Sequence, residues 1–497
     1  MESRRHHADA RLDIERATKD LVTRTPEESA YRVLTRRQQT GLLSLLLLGF
    51  AGLIYHPVTA IVVFNILTIV FYLSFSAYKF KIILSASKEN LEFPVGTDEL
   101  AEIKSTELPV YTILIPLYRE AAVLSRLVKS IERLDYPREK LDVKLLLEED
   151  DAETIQAART MDLPAHLRIV TVPDGLPKTK PRACNYGLIQ AEGEFVVIYD
   201  AEDRPDPDQL KKAVIAFDKA GPGICCVQCK LNYFNRDQNL LTRWFTNEYS
   251  MWFDLFMPGL AAAGAPLPLG GTSNHFITET LVELGAWDPF NVTEDADLGI
   301  RLHKRGFKTV MVDSTTYEEA NSQLRNWIRQ RSRWIKGYIQ TWLVHMRHPI
   351  LLGRQMGLKS WFSFQMVVGG TFVGFLLNPI YWLLTVLWIA SQLGVIRELF
   401  PGFVYFLATA GLYLGNFAFM YANILGSLHR GYFHLVKYAL LSPLYWVLMS
   451  IGAWKGLLQL FFKPFYWEKT LHGLDCGRGQ TILAHPVVSG VPSAEEL

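Results

Sequence analysis

Two apolar regions flank a long polar stretch of this chain, and that layout constrains the fold more than any other feature. The first region comprises residues 41–55 and 57–78, and the second runs from 361 to 462. A helix that crosses a bilayer needs roughly 17–25 mostly apolar residues. We therefore predict a transmembrane hairpin at 39–80 and three or four transmembrane helices at 361–462, with a separate globular domain between them.

The charges around the first apolar region indicate its orientation. Arg36 and Arg37 precede it, and Lys79 and Lys81 end it. Because cytoplasmic flanks of membrane helices are enriched in Lys and Arg, both ends of the hairpin are expected in the cytoplasm. Residues 1–38 are polar, show no secretory signal peptide and are expected to be a cytoplasmic segment. The chain is therefore expected to be a multi-pass protein of the plasma (inner) membrane, with its globular domain in the cytoplasm.

The number of membrane helices stays open between five and six. Pro379 lies within the first apolar segment of the C-terminal region and Pro443 within the last, so each marks a predicted break. A cytoplasmic loop at Arg430 predicts five helices in total. A cytoplasmic tail at 463–497, which the family resemblance below implies, requires an even number.

The composition excludes some classes of protein. The 497 residues carry a formal net charge of +1, so no nucleic-acid surface is expected. Hydrophobic residues make up 49% of the chain, which suits a membrane protein with a globular part. The five cysteines are too sparse to predict a disulfide framework. Cys225, Cys226 and Cys229 lie in a mostly apolar run, which favours a buried strand over a metal site.

The polar stretch alternates between strand-like and helix-like segments. Strands are predicted at 111–115, 143–147, 167–172 and 195–200, and helices at 120–134, 153–161 and 180–191. This alternation predicts an α/β domain over 82–324, with a mostly parallel, Rossmann-like sheet and right-handed crossovers. Ligands of such sheets bind beyond the carboxyl ends of the strands, so polar residues that follow the strands are the candidate site residues.

Two acidic clusters follow the second and fourth predicted strands. They consist of Glu148, Glu149 and Asp150, and of Asp200, Glu202 and Asp203. Carboxylates that share a crevice are costly unless a hard cation lies between them, and Mg²⁺ held by one or two carboxylates and substrate phosphates is the usual solution. Either cluster alone is more typical of a solvated loop. Their equivalent places on the sheet favour a metal-dependent phosphate site.

Basic and glycine-rich segments are expected near the same crevice. Lys178, Lys180 and Arg182 suit a phosphate or pyrophosphate, although a basic run by itself is typical of a solvated face. Residues 270–276 form a glycine-rich turn at which a substrate can approach the backbone closely. The acidic residues of 293–295 open a predicted helix, where carboxylates also occur simply because they suit the helix dipole.

The segment before the second apolar region predicts one amphipathic helix over 325–347. Its apolar face includes Trp327, Trp334 and Trp342, and its polar face carries Arg329, Gln330, Arg333 and Lys336. Basic residues and tryptophan next to a membrane domain indicate an interfacial helix. Such a helix can also present Gln330 and Arg333 to the crevice. A lipid-facing anchor is the alternative for Trp334.

These segments, in this order, resemble the processive family 2 glycosyltransferases, among them cellulose synthases, hyaluronan synthases and bacterial mixed-linkage β-glucan synthases. Residues 330–334 match the Gln-x-x-Arg-Trp motif of that family, and 293–295 match its Thr-Glu-Asp motif. Residues 200–203 resemble its Asp-x-Asp motif, with Glu202 at the third position. The resemblance covers about 105–475. It implies a cytoplasmic GT-A-like domain inserted between N-terminal and C-terminal transmembrane helices.

The resemblance also implies roles for individual residues. The catalytic group would be Thr293, Glu294 and Asp295, with Asp295 as the general base. The nucleotide sugar would contact Glu148, Glu149, Asp150, Lys180, Asp200, Gln330, Arg333 and Trp334, and a metal would contact Asp200 with Glu202 or Asp203. The acceptor would contact Trp334, Gly271, Thr272, Ser273 and Asn274, and a gating segment would contain Trp467, Lys469 and Thr470.

The implied activity is processive, inverting transfer of a hexose from a UDP-sugar, with UDP-glucose as the first expectation and Mg²⁺ or Mn²⁺ as the cofactor. The product would be a β-linked polysaccharide, in the first instance a β-glucan, that crosses the plasma membrane between the helices. An accessory or regulatory membrane partner is compatible with this interpretation. Two alternatives stay open. One is a non-processive membrane glycosyltransferase that adds one sugar to a lipid carrier. The other is a transporter whose globular domain senses nucleotides, which the near absence of ionisable residues in the spans disfavours.

Overall fold

An eight-stranded sheet forms the centre of the globular domain in the computed structural model, which describes residues 2–391, 394 and 398–469. Its strands are β1 Tyr111–Leu117, β2 Leu141–Glu148, β3 Leu167–Val172, β4 Phe195–Ile198, β5 Arg204–Pro205, β6 Ile224–Tyr233, β7 Asn274–Ile277 and β8 Lys308–Glu318. Their order across the sheet is β3-β2-β1-β4-β7-β6-β8-β5. The predicted parallel pairing holds for β1 to β4, whereas β7 runs antiparallel to β4 and β6.

The helices surround this sheet and extend away from it. They are α1 Glu2–Arg24, α2 Arg36–Tyr55, α3 Pro57–Ala86, α4 Thr97–Glu102, α5 Leu124–Ile131, α6 Ala152–Thr160, α7 Lys180–Ile189, α8 Gln209–Ala220, α9 Leu240–Met251, α10 Met257–Ala262, α11 Thr278–Glu283, α12 Glu294–Lys304, α13 Leu324–His345, α14 Pro349–Ser391, α15 Gly402–His429, α16 Val436–Ala439 and α17 Ser442–Phe462. Short 3-10 turns lie at Pro26–Glu28, Arg138–Lys140 and Phe433–Leu435, and a π turn at Trp252–Phe256 joins α9 to α10.

The parallel half of the sheet is covered on both faces, as its nearly continuous apolar strands require. All eight residues of β2 are buried, and two of its three charged residues, Asp142 and Lys144, pair with each other at 2.7 Å. Gly187 lets α7 lie directly on the sheet, because a Cβ at this position would come within 2.7 Å of the Leu146 side chain. This close packing holds Lys180, the first residue of α7, at the carboxyl edge of the strands.

Five helices among the described residues are long and apolar enough to cross a membrane, namely α2, α3, α14, α15 and α17. The first two occupy the region predicted as a hairpin. α14 continues through Pro379, so the predicted break at that proline is wrong. The helix instead bends at Gly357, which has a φ of 77°. Pro443 lies in the first turn of α17, where the missing N–H has no helical partner to lose.

Two pairs of these helices leave the globular domain and return to it. At the start of α2, Gln38 donates a hydrogen bond to the carbonyl of Leu343 in α13 (2.7 Å), and the end of α3 packs against α10. α14 begins shortly after α13 ends. After α15, Arg430 donates to Asp254 in the globular domain (2.6 Å). α2 with α3, and α14 with α15, are therefore two hairpins anchored on the same domain.

The fifth helix, α17, begins and ends at the globular domain. Near its start, Tyr445 donates a hydrogen bond to Glu248 of α9 (2.7 Å). Just after its end, the carbonyl of Tyr466 accepts a hydrogen bond from Lys336 of α13 (2.8 Å). Between these points, a Cβ at Gly456 would lie 2.6 Å from a backbone oxygen of α13. α17 therefore runs along α13 instead of away from the domain.

Contacts at both ends of the described chain agree with an even number of helices that cross the membrane. Asn185 of α7 donates a hydrogen bond to the carbonyl of Ala17 in α1 (2.9 Å), and residues 463–469 pack on α13. Both ends thus lie on the globular domain. Two hairpins give four crossings, which satisfies this condition, while α17 accounts for the fifth apolar helix without a crossing.

Candidate active site

A cavity of about 870 Å³ opens beyond the carboxyl ends of β1, β2 and β4, where ligands of such sheets are expected. Most of the predicted site residues line it: Glu148, Lys180, Asp200, Glu202, Gly271, Thr272, Thr293, Glu294, Asp295, Gln330, Arg333, Trp334, Trp467 and Lys469. Five predicted residues do not line it: Glu149, Asp150, Asp203, Ser273 and Asn274. Thr470 lies outside the described residues.

Glu148 forms a buried ion pair at the β2 end of the cavity. Its Oε2 lies 2.6 Å from Nη2 of Arg182, and neither side chain is more than 5% exposed. Burial raises the pKa of Glu148 to about 7, although Arg182 and Lys178 oppose the shift. Nε and Nη1 of Arg182 have no hydrogen-bond partner among the described residues. The pair therefore keeps donor capacity and a titratable carboxyl next to the cavity.

The two acidic neighbours of Glu148 turn away from the cavity. Glu149 accepts a hydrogen bond from the backbone N–H of Asp174 (2.9 Å). Asp150 pairs with Lys178 at 2.5 Å. Both residues are thus engaged with the loop that precedes α7, because they follow the last residue of β2 and no longer share its orientation. Their contact with the nucleotide stays a prediction, and Asp150 adjoins the cavity through Lys178 and the hydroxyl of Tyr118 (3.4 Å).

Tyr118 and Glu120 line the same end of the cavity and were not predicted. The ammonium groups of Lys178 and Lys469 lie 5.5 and 5.2 Å from the centroid of the Tyr118 ring. Lys469 also lies 3.4 Å from Glu120. The two residues follow β1, so the strand-end rule that found the acidic clusters also points to them. Tyr118 offers a flat face between two cations, a suitable surface for a nucleotide base.

Lys180 reaches from the start of α7 to the acidic edge of the sheet. Its Nζ lies 2.5 Å from Oδ1 of Asp200 and donates a hydrogen bond to the carbonyl of Gly271 (2.7 Å). Although burial opposes it, Asp200 and Glu294 raise the pKa of Lys180, so the amine stays charged. One cation thus joins the end of β4 to the glycine-rich turn.

The second acidic cluster divides into a part that faces the cavity and a part behind it. Oδ2 of Asp203 accepts hydrogen bonds from the backbone N–H of Asp200 (2.8 Å) and from the hydroxyl of Thr272. Asp203 is therefore corrected to a residue that supports the edge, and Glu202 is the alternative that lines the cavity. At the end of β8, burial and the carboxylates of Asp203, Glu202 and Asp200 raise the pKa of Glu318 well above its usual range. The edge thus concentrates negative charge.

Glu294 and Asp295 open α12 and form a coupled pair of carboxyls. Burial and the charge of Asp295 raise the pKa of Glu294 to about 8. Burial also raises the pKa of Asp295, but Lys180 and Arg333 oppose that shift. The two neighbouring carboxyls thus share a buried site in which Lys180 and Arg333 are the compensating cations. Oδ2 of Asp295 faces Gly271, where a Cβ would lie 3.3 Å away.

Thr293 places the acidic pair against α13. A Cβ at Gly337 of α13 would lie only 2.2 Å from Oγ1 of Thr293, so this glycine permits direct contact between the helix and the loop. Two residues earlier, Asn291 donates a hydrogen bond to Thr341 of α13 (3.0 Å). α13 therefore positions the start of α12, on which Asp295 lies.

Only the first half of the predicted acceptor loop reaches the cavity. Ser273 has a φ of 56°, and its hydroxyl donates to Thr316 (2.6 Å) inside the sheet. Asn274 donates a hydrogen bond to a carbonyl of its own loop (2.6 Å). Because β7 begins at Asn274, both side chains belong to the buried sheet. The predicted acceptor contacts are therefore corrected to Gly271 and Thr272.

α13 presents the Gln-x-x-Arg-Trp segment to the cavity. The guanidinium of Arg333 lies 4.3 Å from the ring centroid of Trp467, and its Nη1 donates to the carbonyl of Val292 (3.3 Å). Gln330 lines the cavity and accepts a hydrogen bond from Asn321 (2.9 Å). A cation near Asp295 and an amide are thus held on one face of the helix.

Trp334 faces the cavity and packs within an aromatic cluster, so the alternative of a lipid-facing anchor is not supported. Its ring stacks on Tyr249 with centroids 6.2 Å apart. Behind it, the guanidinium of Arg331 lies 4.7 Å from its centroid. Arg331 in turn donates a hydrogen bond to Glu248 (3.0 Å) and forms an ion pair with it. The Trp334 ring is therefore a rigid flat surface at the cavity wall.

Residues 463–469 cross the mouth of the cavity. Trp467 and Lys469 line it, and between them Glu468 accepts hydrogen bonds from Lys455 (2.7 Å) and from Ser332 of α13 (3.2 Å). The segment predicted as a gate thus contacts both the cation of Arg333 and the far side of α13.

The cavity continues between α3, α14 and α15, where its wall includes Tyr72, Phe75, Lys79, Thr371, Gly374, Asn378, Asn416, Phe419 and Asn423. A second cavity of about 600 Å³ shares four of these residues and extends to Trp388 and Gly402. Thr371, Asn378 and Thr385 are each seven residues apart, which puts them on one face of α14. Because they share these wall residues, the two cavities adjoin and together extend from the sheet edge toward Trp388 and Gly402, and we refer to them jointly as the tunnel.

Comparisons with known proteins identify the globular domain. A model of the family described as "Glycosyltransferase like family 2" matches residues 109–337. Probable glycosyltransferase YdaM of Bacillus subtilis is 26% identical over 238 residues, which are 46% of this chain and 56% of the relative. Probable glucomannan 4-beta-mannosyltransferase 3 of Arabidopsis thaliana is 28% identical over 257 residues, which are 50% of this chain and 46% of the relative. The chain spans about half the length of these curated relatives.

The chain is also similar to the solved structure of mannosyltransferase PcManGT from Pyrobaculum calidifontis in complex with GDP-Man and Mn²⁺. The TM-score is 0.48 at 18% identity, and the likeness covers 79% of this chain and 99% of the other. The matched family segment, 109–337, spans the sheet and the start of α13, including the Gln-x-x-Arg-Trp segment. The match therefore assigns residues 109–337 of this chain to glycosyltransferase family 2.

Proposed function

We propose that this chain is a processive, inverting hexosyltransferase that builds a β-linked polysaccharide from a UDP-sugar and passes it across the plasma membrane. UDP-glucose is the first candidate donor and a β-glucan the first candidate product. The observation that carries the proposal is a single cavity whose wall includes both Asp295 at the charged sheet edge and residues of α3, α14 and α15, which are long and apolar enough to cross a membrane. Transfer of one sugar to a lipid carrier would instead require a groove open to lipid at Asp295.

Asp295 is the group with the properties of a general base. It faces the cavity, and the cations of Lys180 and Arg333 favour its ionised form. It accepts the proton of the acceptor hydroxyl while that oxygen forms a bond to the anomeric carbon. The bond from this carbon to the diphosphate breaks on the opposite side, and the nucleotide leaves with the electron pair. A positioned base contributes about 10²–10⁴-fold.

Lys180 and Arg333 are placed to stabilise the leaving diphosphate. Both line the cavity and lie close enough to Asp295 to lower its pKa. Preorganised cations aimed at developing charge are among the largest contributions to catalysis. Trp467 stacks on Arg333 and closes the donor end of the cavity. Trp334 offers its face to the acceptor sugar on the tunnel side.

The residues at the sheet edge fit a divalent cation. In the part of the chain that the structure describes, no group of three or more His, Cys, Asp or Glu side chains is arranged to hold a metal alone. Asp200 and Glu202 supply two carboxylates, which suits Mg²⁺ or Mn²⁺ that takes its other ligands from a diphosphate and water. Burial, together with the carboxylates of Asp203, Glu202 and Asp200, raises the pKa of Glu318, and a cation at this edge would offset that negative charge. When bound, the metal would neutralise charge on the departing diphosphate.

The proposal is tested with the full chain purified in detergent, given nucleotide sugars singly and in pairs with Mg²⁺ or Mn²⁺. The panel contains UDP-glucose and UDP-glucuronate, and it also contains GDP-mannose because a relative is named as a mannosyltransferase. Nucleotide release and product size are measured together. High-molecular-weight product is expected from one donor or from one pair of donors. Release that accompanies only single-sugar lipid products would refute processive synthesis, and no release with any donor would refute the proposed activity.

A further inference from the structure

One cation lies in the wall of the tunnel. Lys79 is the single charged side chain that the described parts of α3, α14 and α15 contribute to the two cavities. Its ammonium lies 5.1–5.9 Å from the centroids of four aromatic rings, which belong to Phe75, Trp252, Phe256 and Phe419. These rings hold the ammonium at the wall by cation–π attraction.

The carboxylate near Lys79 is already engaged elsewhere. Glu248 lines the same cavity and acts on Lys79 electrostatically. However, its two oxygens accept hydrogen bonds from Arg331 (3.0 Å to Oε1) and from Tyr445 (2.7 Å to Oε2). Among the described residues no carboxylate lies within ion-pair distance of Lys79. A charge in such a confined wall is costly unless a partner compensates it.

Lys79 lies just beyond the surface assigned to the acceptor sugar. Trp334 stacks on Tyr249, and Trp252, which contacts Lys79, follows three residues later in the same helical segment. That spacing corresponds to about one helical turn, ~5 Å. Lys79 and Trp334 line the same cavity, so a saccharide that rests on Trp334 and extends toward α3 would pass the ammonium.

We propose that Lys79 binds a carboxylate of the nascent chain, so that the product is an acidic polysaccharide with uronosyl units besides neutral hexose. This inference rests on the proposed function, in which the tunnel carries a saccharide. A neutral glycan has no group that compensates the charge of Lys79, whereas a uronosyl unit supplies one while its ring packs on the surrounding aromatic side chains.

Oligosaccharide binding tests the inference without turnover. The probes are a neutral β-1,4-linked glucose hexasaccharide and the same hexasaccharide oxidised to carboxylates at C6, titrated calorimetrically into the full chain. The wild type should bind the carboxylated probe about tenfold more tightly, as close charge pairs in an enclosed site do. Lys79→Met should abolish this preference and Lys79→Arg should retain it. Lys81→Met, which removes an exposed lysine two residues away, is the matched control and should behave as wild type.

The outcomes separate this site from the proposed activity. Equal affinities of the wild type for both probes, or a preference that survives in Lys79→Met, would overturn the inference and leave Lys79 as a cation held only by its aromatic neighbours. Nucleotide release is measured in parallel on the same preparations. A carboxylate preference lost only in Lys79→Met supports the site even where no donor is turned over, whereas turnover to a purely neutral polymer overturns the inference and leaves the activity standing.

Discussion

Replacing Gly337 with alanine tests whether α13 positions the catalytic base. A Cβ at Gly337 would lie 2.2 Å from Oγ1 and 2.5 Å from Cγ2 of Thr293, whereas ordinary contacts begin at 3.4 Å. The helix and the loop would have to separate by about 1 Å, and a misplacement of about 1 Å can cost about 100-fold in rate. Because Thr293 is two residues before Asp295, we expect kcat to fall about 100-fold. The donor KM should change little, since Lys180 is untouched.

The assay is the initial rate of nucleotide release at varied donor concentration, with UDP affinity and thermal unfolding measured on the same sample. Gly353→Ala is the matched control, because its nearest neighbour would be 3.6 Å away, an ordinary contact. Overpacking at Gly337 costs about 1–3 kcal/mol of stability, so UDP binding at wild-type affinity identifies folded protein. Folded Gly337→Ala enzyme with kcat within about twofold of the wild type would refute the positioning role of α13.

Three further predictions concern the charged end of the cavity. Asp295→Asn should lower the rate of sugar transfer by about 10²–10⁴-fold and leave the affinity for UDP near that of the wild type, because the substitution removes only the proposed base. Transfer at the wild-type rate would contradict that assignment. Burial raises the pKa of Asp295, so kcat/KM should fall as pH drops through that raised pKa, above the ordinary value near 3.9. Lys180→Met removes a cation that lowers the pKa of Asp295, so the acid limb of the pH–rate profile should shift to higher pH. Lys178→Met should leave this limb where it is in the wild type. The same acid limb in Lys180→Met and in the wild type would argue against the electrostatic coupling between Lys180 and Asp295. Trp467→Ala removes the aromatic ring that contacts the guanidinium of Arg333. Since a cation–π contact is worth roughly 0.5–2 kcal/mol, UDP binding measured by calorimetry should weaken about 2–30-fold. An unchanged affinity would show that residues 463–469 do not contribute to the donor site.

Sequence reasoning located the site because two simple rules apply to this fold. Lys180 and Asp200 were found because polar residues at the carboxyl ends of parallel strands converge, and the structure brings their side chains within 2.5 Å. Asp295 and Trp334 came from a motif resemblance, and both line the same cavity. In each case the local position along the chain determines the direction in which the side chain points.

The errors lie where a side chain's direction depends on tertiary structure. Glu148, Glu149 and Asp150 are chemically alike, and only the exact end of β2 decides that the first faces the cavity. Ser273 and Asn274 were assigned to a loop because β7 has four residues and too little pattern to predict a strand. Glu202 and Asp203 could not be separated without the hydrogen bonds that hold Asp203 behind the edge.

Hydropathy has a similar limit for α17. Its 21 residues are apolar enough to span a bilayer, and composition does not distinguish lipid from a protein surface as the apolar partner. The deciding features are two glycines, Gly452 and Gly456, at which α17 approaches α13 so closely that a Cβ would lie 3.2 and 2.6 Å from atoms of α13. Small residues four apart allow such close helix contact. Their spacing in the sequence was the available signal.

α13 connects every part of the proposed reaction, and its packing implies which part moves. Through Gly337 it contacts the loop that precedes Asp295, and it carries Arg333 and Trp334 at the cavity. It is also held to residues 463–469 by Lys336, which is fully buried and donates a hydrogen bond to the carbonyl of Tyr466 (2.8 Å). A shift of α13 by the length of a sugar would break these contacts together and leave the buried ammonium of Lys336 unpaired, which is strongly unfavourable. The acceptor surface and the base therefore stay fixed relative to each other. In the proposed reaction, the polymer must therefore advance past Trp334 into the tunnel after each transfer. Contacts between the tunnel wall and the new sugar unit, rather than motion of α13, then determine where the chain end lies for the next addition.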